Sequence, residues 1–198
     1  MWTSDLAKRL AISLSVLMPA AADASPAGKP VCRNTPGYLV ITREKNGNVG
    51  DDILVRRTAS AAQKKSSCAF AVRPGDYVLG RGDEAAYVLA MQRRFIALDV
   101  GTGPDRQLLI YDVELRKKLV DVPYDDSKSV QVREDRFVYW EIAKNPVKPQ
   151  SCPAVWRQTT ENRDARAAHS TREVTFAFVD GLVRDTGNTG CTRTQDDM

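Results

Sequence analysis

The sequence predicts a mostly β protein: a single disulfide-bonded, antiparallel β-sandwich or open barrel with at most one short helix. Three observations lead to this prediction. The chain has 198 residues, 42% of them hydrophobic and 27% charged, which is the composition of one ordinary globular domain. Short apolar runs alternate with turn residues along most of its length. Its four cysteines suffice for two disulfides, which would stabilise a modest core.

Residues 1–24 have the three parts of a secretory signal peptide. A basic pair precedes an apolar run at 10–18, and Ala22-Asp-Ala24 fits the small-residue rule for cleavage. The apolar run has nine residues, whereas crossing a bilayer takes roughly 20. We therefore expect cleavage between Ala24 and Ser25, a periplasmic or secreted mature protein, and no membrane span in the mature chain.

The four cysteines, Cys32, Cys68, Cys152 and Cys191, allow three pairings. An exported protein keeps such an even set as disulfides, because its compartment is oxidising. We favour Cys32–Cys68 and Cys152–Cys191, since each bond closes a moderate loop and the two pairs lie at opposite ends of the chain. A zinc site is disfavoured, because the spacings include no C-x-x-C and the chain has one histidine. The sequence predicts no metal site and no cofactor.

The mature chain begins with an extended lead-in, residues 25–36, and continues as a single β-domain over 37–193. Short runs in that domain predict strands, because they are rich in β-branched or aromatic residues and end at turn residues. The predicted strands are Tyr38–Thr42, Ile53–Arg56, Cys68–Val72, Tyr77–Leu79, Ala86–Met91, Phe95–Val100, Gln107–Val113, Lys118–Val122, Phe137–Ile142 and Val174–Phe178.

Two of these strands have apolar side chains on both faces. In Gln107–Val113 and in Phe137–Ile142, successive apolar residues point to opposite sides of the sheet. Both strands therefore need cover on each face and belong in the centre of a sheet, which places Trp140 in the core. Val174–Phe178 alternates on one side only and is expected nearer an edge.

The stretch 95–122 contains three predicted strands separated by short connectors. It resembles part of a β-propeller blade, with Ile110-Tyr-Asp-Val113 similar to the closing strand of such a repeat. The resemblance implies a small propeller-like β fold as the alternative architecture. No second copy recurs at a period of about 40–50 residues, so the sandwich or open barrel is favoured.

One segment, Ala154–His169, indicates a short helix. Pro153 suits a first helical turn, although the threonines that follow weaken the pattern. A long loop between the last two cysteines is the alternative. From Asp185 onward the chain is rich in threonine, glycine and asparagine, so we expect a tail held by Cys191, with residues 194–198 loose.

The sequence contains no complete catalytic constellation. The one histidine, His169, lies among polar residues and is expected on the surface. Asp185-Thr-Gly187 lacks the second copy that an aspartic protease needs. The tripeptide Arg81-Gly-Asp83 is expected to form a turn between two predicted strands.

Two pairs of residues are candidates for binding. The connector after Gly101 is long enough to serve as a binding loop, which selects Asp105 and Arg106. Trp156 and Arg157 are the second pair, because an exposed aromatic residue beside arginine is typical of binding hot spots. The alternative for Trp156 is a place in the core.

The formal net charge is +4, and the predicted cleavage leaves it unchanged. This excess is too mild for a nucleic-acid binder. We therefore expect an exported, non-enzymatic envelope binding protein whose partner is another envelope or secreted protein. An inhibitor or immunity protein acting on a secreted hydrolase is one version of this class. The alternatives are a carboxylate-based hydrolase of an envelope polymer and a structural factor in envelope assembly.

Overall fold

The computed structural model of this chain describes residues 28–58, 68–103, 105–148, 150–161 and 166–195. The predicted signal peptide and the cleavage site between Ala24 and Ser25 lie outside the described residues.

Strands make up most of the described chain. They form where β-branched and aromatic residues dominate, as in Tyr38-Leu-Val-Ile-Thr42. Within the described residues, no helix is long and apolar enough to cross a membrane. The elements in chain order are β1 (Val31–Thr35), β2 (Tyr38–Glu44), β3 (Asp51–Arg57), β4 (Tyr77–Leu79), β5 (Ala86–Gln92), β6 (Phe95–Val100), β7 (Gln107–Asp112), β8 (Lys117–Pro123), β9 (Gln131–Val132), β10 (Arg136–Pro146), α1 (Pro153–Glu161), β11 (Arg166–Ala177) and β12 (Val183–Gln195).

These strands form three four-stranded sheets, and each sheet contains four consecutive strands. Sheet 1 consists of β1–β4, sheet 2 of β5–β8 and sheet 3 of β9–β12, with all neighbouring strands antiparallel. The predicted fold class is confirmed: the protein is mostly β, antiparallel and disulfide-bonded, with one short helix. Each sheet also has the four-stranded form of a propeller blade, and the blade-like stretch 95–122 supplies β6, β7 and most of β8.

The three sheets are stacked, with sheet 2 in the middle. In β6, Phe95 and Ala97 point into the core shared with sheet 3, whereas Ile96 and Leu98 point into the core shared with sheet 1. β7 alternates in the same way. This confirms the prediction that Gln107–Val113 needs cover on both faces, and the cover on each side is a sheet.

Four phenylalanines, Phe95, Phe137, Phe176 and Phe178, are central to the core between sheets 2 and 3. The Phe95 and Phe176 rings meet edge to face with centroids 5.0 Å apart. The Phe137 and Phe178 rings meet in the same way at 4.7 Å. Burial of one such ring contributes about 2–3 kcal/mol, so the cluster firmly joins the two sheets.

Residues 68–76, which precede β4, cover the outer face of sheet 1. Phe70 packs there against Leu39, Ile41 and Leu54. The prediction of a strand at Cys68–Val72 is wrong, because this segment is irregular in the structure.

The backbone of this segment is hydrogen-bonded by a side chain instead of by a neighbouring strand. Arg56 Nη2 donates a hydrogen bond of 2.7 Å to the Ala71 carbonyl, and the same guanidinium donates two bonds of 2.7 and 2.9 Å to Asp76. Within the apolar run that suggested a strand, Phe70 is the residue that packs against sheet 1, and it is half-buried.

Both predicted disulfides, Cys32–Cys68 and Cys152–Cys191, are formed. The first ties the segment that covers sheet 1 to β1, and the second ties the start of α1 to β12. β1 pairs with β2 along its whole length. The β-domain therefore begins before the predicted boundary at residue 37.

The C-terminal third differs most from the prediction. α1 ends at Glu161, and β11 occupies the last residues of the predicted helix Ala154–His169. The residues from Asp185 belong to β12, which reaches Gln195 and so enters the segment predicted to be loose. Threonine suits a strand, and long-range pairing with β11 supplies hydrogen bonds that no local pattern reveals.

Three further predictions in this region are corrected. His169 is buried, and its Nδ1 lies 2.8 Å from the carbonyl oxygen of Ala143. Trp140 is half-buried, with Lys128 Nζ 3.7 Å from the ring centroid. The predicted strand Val174–Phe178 overlaps the end of β11, which stops at Ala177 and pairs with strands on both sides. Apolar residues on one side of a strand indicate that its other face is polar. A strand with one polar face can still lie in the middle of a sheet.

Candidate functional site

Turns from all three sheets meet at one end of the molecule. Pro36 of the β1–β2 turn, Arg94 of the β5–β6 turn, Glu114 of the β7–β8 turn and Val179 of the β11–β12 turn line one cavity. The connectivity explains this meeting, because successive turns of an antiparallel sheet alternate between its two ends. We call this end the tip face and define it by the turns 36–37, 93–94, 113–116 and 179–182.

Two arginines at the tip face adopt a backbone conformation that favours glycine. Arg93 has a φ of 53° and Arg116 a φ of 52°, and among the described residues these are the two non-glycine residues with positive φ. The left-handed conformation costs a residue with a Cβ roughly 1–2 kcal/mol. Backbone strain of this kind clusters at functional sites, and here it occurs twice on one surface.

Two cavities open at the tip face and share a wall. The larger has a volume of about 440 Å³ and is lined by the turn 93–94 among others. The smaller has a volume of about 160 Å³, and its lining includes Arg57 and Arg116. Tyr38 and Glu114 line both cavities and form the wall between them.

The carboxylate of Glu114 lies at the centre of this wall. The Tyr38 hydroxyl donates a hydrogen bond of 2.8 Å to its Oε1. Arg57 Nη2 lies 3.7 Å from Oε1, and Arg94 Nη1 lies 3.9 Å from Oε2. Burial and the bond to Glu114 raise the pKa of Tyr38 to about 12, so this hydroxyl remains a donor at neutral pH.

Asp112, which is fully buried, fixes the position of Glu114. Its Oδ1 accepts hydrogen bonds of 3.0 Å from the backbone N–H groups of Glu114 and Leu115. Its Oδ2 lies 2.9 Å from Arg94 Nε. The Asp112 carboxylate thus links the turns 93–94 and 113–116 and sets the spacing of their charged side chains.

Arg116 and Arg93 lie on the two sides of the shared wall. Arg116 Nη2 donates a hydrogen bond of 3.0 Å to the carbonyl oxygen of Gly75. The side chain of Arg93 is exposed. In the described part of the chain, neither guanidinium forms an ion pair with a carboxylate. Both therefore have N–H donors available for a bound group.

Large apolar side chains protrude from the same turns. Leu115 is 66% exposed, Val179 85% and Leu182 55%. Single exposed apolar residues are common on protein surfaces. A group of them beside several arginines is typical of a surface that binds another protein.

The predicted binding residues Asp105 and Arg106 lie at the opposite end of sheet 2, in the β6–β7 connection. Arg106 Nε donates a hydrogen bond of 2.8 Å to Asp99 Oδ1, and a second bond joins Arg106 Nη2 to Asp99 Oδ2. The guanidinium carbon also lies 5.8 Å from the centroid of the Tyr87 ring. These contacts hold the connection against β6, while Asp105 is exposed.

The second predicted pair, Trp156 and Arg157, lies on α1, which packs against β11 and β12. Trp156 is half-buried, and its Nε1 donates a hydrogen bond of 3.2 Å to the Val147 carbonyl. Arg157 is exposed. The β10–β11 connection, which contains α1, also lies at the end opposite the tip face. The structure therefore brings neither predicted pair to the tip face.

The sequence interpretation missed the tip-face arginines because it treated their turns only as connectors. One signal was available. Gln92-Arg-Arg94 and Leu115-Arg-Lys117 are alternate connectors of one predicted antiparallel sheet, and alternate connectors lie at the same end. The contribution of the turns from sheets 1 and 3 depends on the stacking of the sheets, which no local pattern contains.

A third cavity, of about 550 Å³, lies between β8 and sheet 3 and is lined by the carboxylates of Asp121 and Glu141. Arg172 donates hydrogen bonds of 3.0 and 3.1 Å to Glu141, and Lys118 forms an ion pair with Asp121. Each of these two carboxylates thus has a cation as its partner.

No protein-family model, no curated protein and no solved structure matches this chain.

Proposed function

We propose that this chain is an exported, non-enzymatic binding protein that holds another envelope or secreted protein at its tip face. The observation that carries the proposal is the meeting of two strained arginines and exposed apolar side chains at one end of the molecule.

The turns of the tip face are short and internally fixed, which suits a binding surface. Asp112 fixes the turn 113–116, and the Tyr38–Glu114 hydrogen bond joins that turn to sheet 1. A surface that is already ordered loses less conformational entropy when a partner binds. The tip face therefore needs little rearrangement to dock a partner.

Two features support an exported location. The pattern of residues 1–24 is that of a signal peptide, and disulfides persist in oxidising compartments. If the partner is a secreted hydrolase, this protein is an inhibitor or immunity protein.

Affinity capture from the organism's own cell envelope tests the proposal. The bait is the mature chain, compared with a variant that carries Leu115→Ser and Val179→Ser. We expect mass spectrometry to recover one stoichiometric partner with the native bait and at least about tenfold less with the variant, as expected for the loss of hot-spot residues.

The matched control is Val49→Ser, because Val49 is 56% exposed and lies in the β2–β3 turn at the opposite end. This variant should capture the partner as well as the native chain does. Equal recovery with all three baits, or glycan cleavage by the purified native chain, would contradict the proposal.

A further inference from the structure

We infer that the partner is recognised through acidic side chains, whose carboxylates bind to the arginines around Glu114 at the tip face. This inference rests on the proposed function and names the chemistry of the partner.

The charges around the two tip-face cavities are unbalanced. Their linings contain four arginines, Arg57, Arg93, Arg94 and Arg116, and one carboxylate, Glu114. Arg94 is also paired with the buried Asp112, which leaves three arginines beside Glu114. A cleft that is lined by one sign of charge attracts groups of the opposite sign. The partner's complementary surface is therefore acidic.

Glu114 shows how a carboxylate is held at this place. Among the described residues its carboxylate accepts one hydrogen bond, from Tyr38, and its distances of 3.7 and 3.9 Å to Arg57 and Arg94 are too long for hydrogen bonds. A guanidinium has five N–H donors and can bind a carboxylate through two of them at once. Arg57, whose side chain is 78% exposed, retains most of its donors for a second carboxylate.

Glu114 also competes with an incoming carboxylate for these donors. Its negative charge lies between the two cavities and attracts the same guanidinium groups. Removing that charge while keeping the acceptor oxygen should strengthen the binding of an acidic partner. A role confined to stabilising the fold predicts no such gain.

The apolar side chains indicate that the acidic groups belong to a protein. Val179, which is 85% exposed, lines the larger cavity beside Arg93 and Arg94, and Leu115, which is 66% exposed, belongs to the turn 113–116 beside both cavities. Apolar residues next to cations suit a polypeptide segment that alternates acidic and apolar side chains. A simple inorganic anion would leave that apolar surface uncovered.

A labelled synthetic peptide of alternating glutamate and leucine is the probe, and fluorescence anisotropy measures its binding to the mature chain. The same peptide with glutamine in place of glutamate is the comparison. We expect the glutamine peptide to bind at least about tenfold more weakly. The affinity of the acidic peptide should also fall as salt is added, because salt screens exposed charges.

Three variants locate the site. Arg93→Glu with Arg116→Glu should weaken binding of the acidic peptide by at least about tenfold. Glu114→Gln should tighten it by a few-fold, and circular dichroism should confirm that each variant is folded. Arg81→Glu is the matched control, because Arg81 is an exposed arginine in the β4–β5 connection at the opposite end. It should leave the affinity unchanged.

The inference is overturned if both peptides bind equally, if neither binds, or if the Arg93 and Arg116 variants bind as the native chain does. Competition by small anions is a further test. If inorganic phosphate displaces the peptide at the same concentration as acetate does, the site recognises anions in general, and the inference is overturned. Envelope capture separates this inference from the proposed function. If capture fails with Leu115→Ser and Val179→Ser but survives Arg93→Glu and Arg116→Glu, the tip face binds a partner without its carboxylates.

Discussion

Arg93 begins the two-residue turn between β5 and β6, a position at which such hairpins favour glycine. The positive φ of Arg93 is energetically unfavourable by itself. The neighbouring strands impose it, because their paired register leaves two residues for the turn. The same conformation places a guanidinium at the tip face. Stability and surface chemistry therefore make opposite demands on this residue.

We predict that Arg93→Gly stabilises the protein and weakens its binding. Relief of the left-handed conformation should raise the free energy of unfolding by about 0.5–1 kcal/mol, after allowing for the greater freedom of glycine in the unfolded chain. Urea denaturation measures this change. Arg93→Ala is the control, because it removes the same charge but keeps the strain. Equal stability of the glycine and alanine variants would show that the turn is not strained.

At the scale of elements, residues 68–76 are held against sheet 1 by one buried ion pair. The Arg56 and Asp76 side chains are almost inaccessible to solvent, and Arg73 adds a backbone hydrogen bond of 2.8 Å to the same carboxylate. Burial alone would raise the pKa of Asp76, but the hydrogen bonds from Arg56 and Arg73 outweigh it and hold the pKa below its ordinary 3.8.

This lowered pKa predicts a specific dependence of stability on pH. The ionised Asp76 stabilises the fold above its unfolded-state pKa, and this contribution is lost as the pH falls from about 3.8 through the lower folded-state value. We expect Asp76→Asn to cost about 3 kcal/mol at neutral pH, since it leaves Arg56 buried without its partner. Thermal melts from pH 7 to pH 2 should show that the variant loses less stability over the acid range. Parallel pH profiles would contradict this prediction.

The same scale shows what the sequence could predict of the fold. The strands of sheet 2 follow their local pattern closely, because each is a short apolar run that is bounded by polar turn residues. The prediction of a strand at Cys68–Val72 is wrong, because the Arg56 side chain and not a neighbouring strand is the hydrogen-bond partner there. The prediction of a tail from Asp185 onward is wrong, because the composition of these residues is that of a loop, whereas their pairing with β11 makes them a strand.

The candidate site could be predicted only in part. A loop-built surface was expected, but the residues chosen, Asp105, Arg106, Trp156 and Arg157, are at the other end. Their local sequences are as promising as those of the tip-face turns. The difference is that turns from three sheets converge at one end, and convergence is a property of the stacking.

At the scale of the whole molecule, sheet 2 contributes to both cores and should make the three sheets unfold together. The test uses Val40→Ala, because Val40 is buried between sheets 1 and 2. The two tryptophans after residue 24, Trp140 and Trp156, both lie in the C-terminal third. We predict that this substitution, which costs about 2 kcal/mol, lowers the denaturation midpoint seen by tryptophan fluorescence as much as the midpoint seen by circular dichroism.

The outcome distinguishes one cooperative unit from several. A fluorescence midpoint that stays in place while circular dichroism splits into two transitions would show that sheet 3 unfolds independently of sheet 1. Phe176→Leu in the core between sheets 2 and 3 is the companion variant, and it should lower both midpoints together.

Because every sheet is completed by one uninterrupted stretch of chain, the order of synthesis can also be the order of assembly. A polypeptide that emerges N-terminus first has all of sheet 1 outside once Leu79 has appeared, before any strand of the next layer is present. Pairing between sequence neighbours is fast, so the first layer can offer its apolar inner side as a template on which the second layer forms. The second layer can then do the same for the third. In such a chain each strand pairs with strands that are made shortly before or after it. The apolar surface that is exposed during synthesis therefore belongs to one sheet at a time.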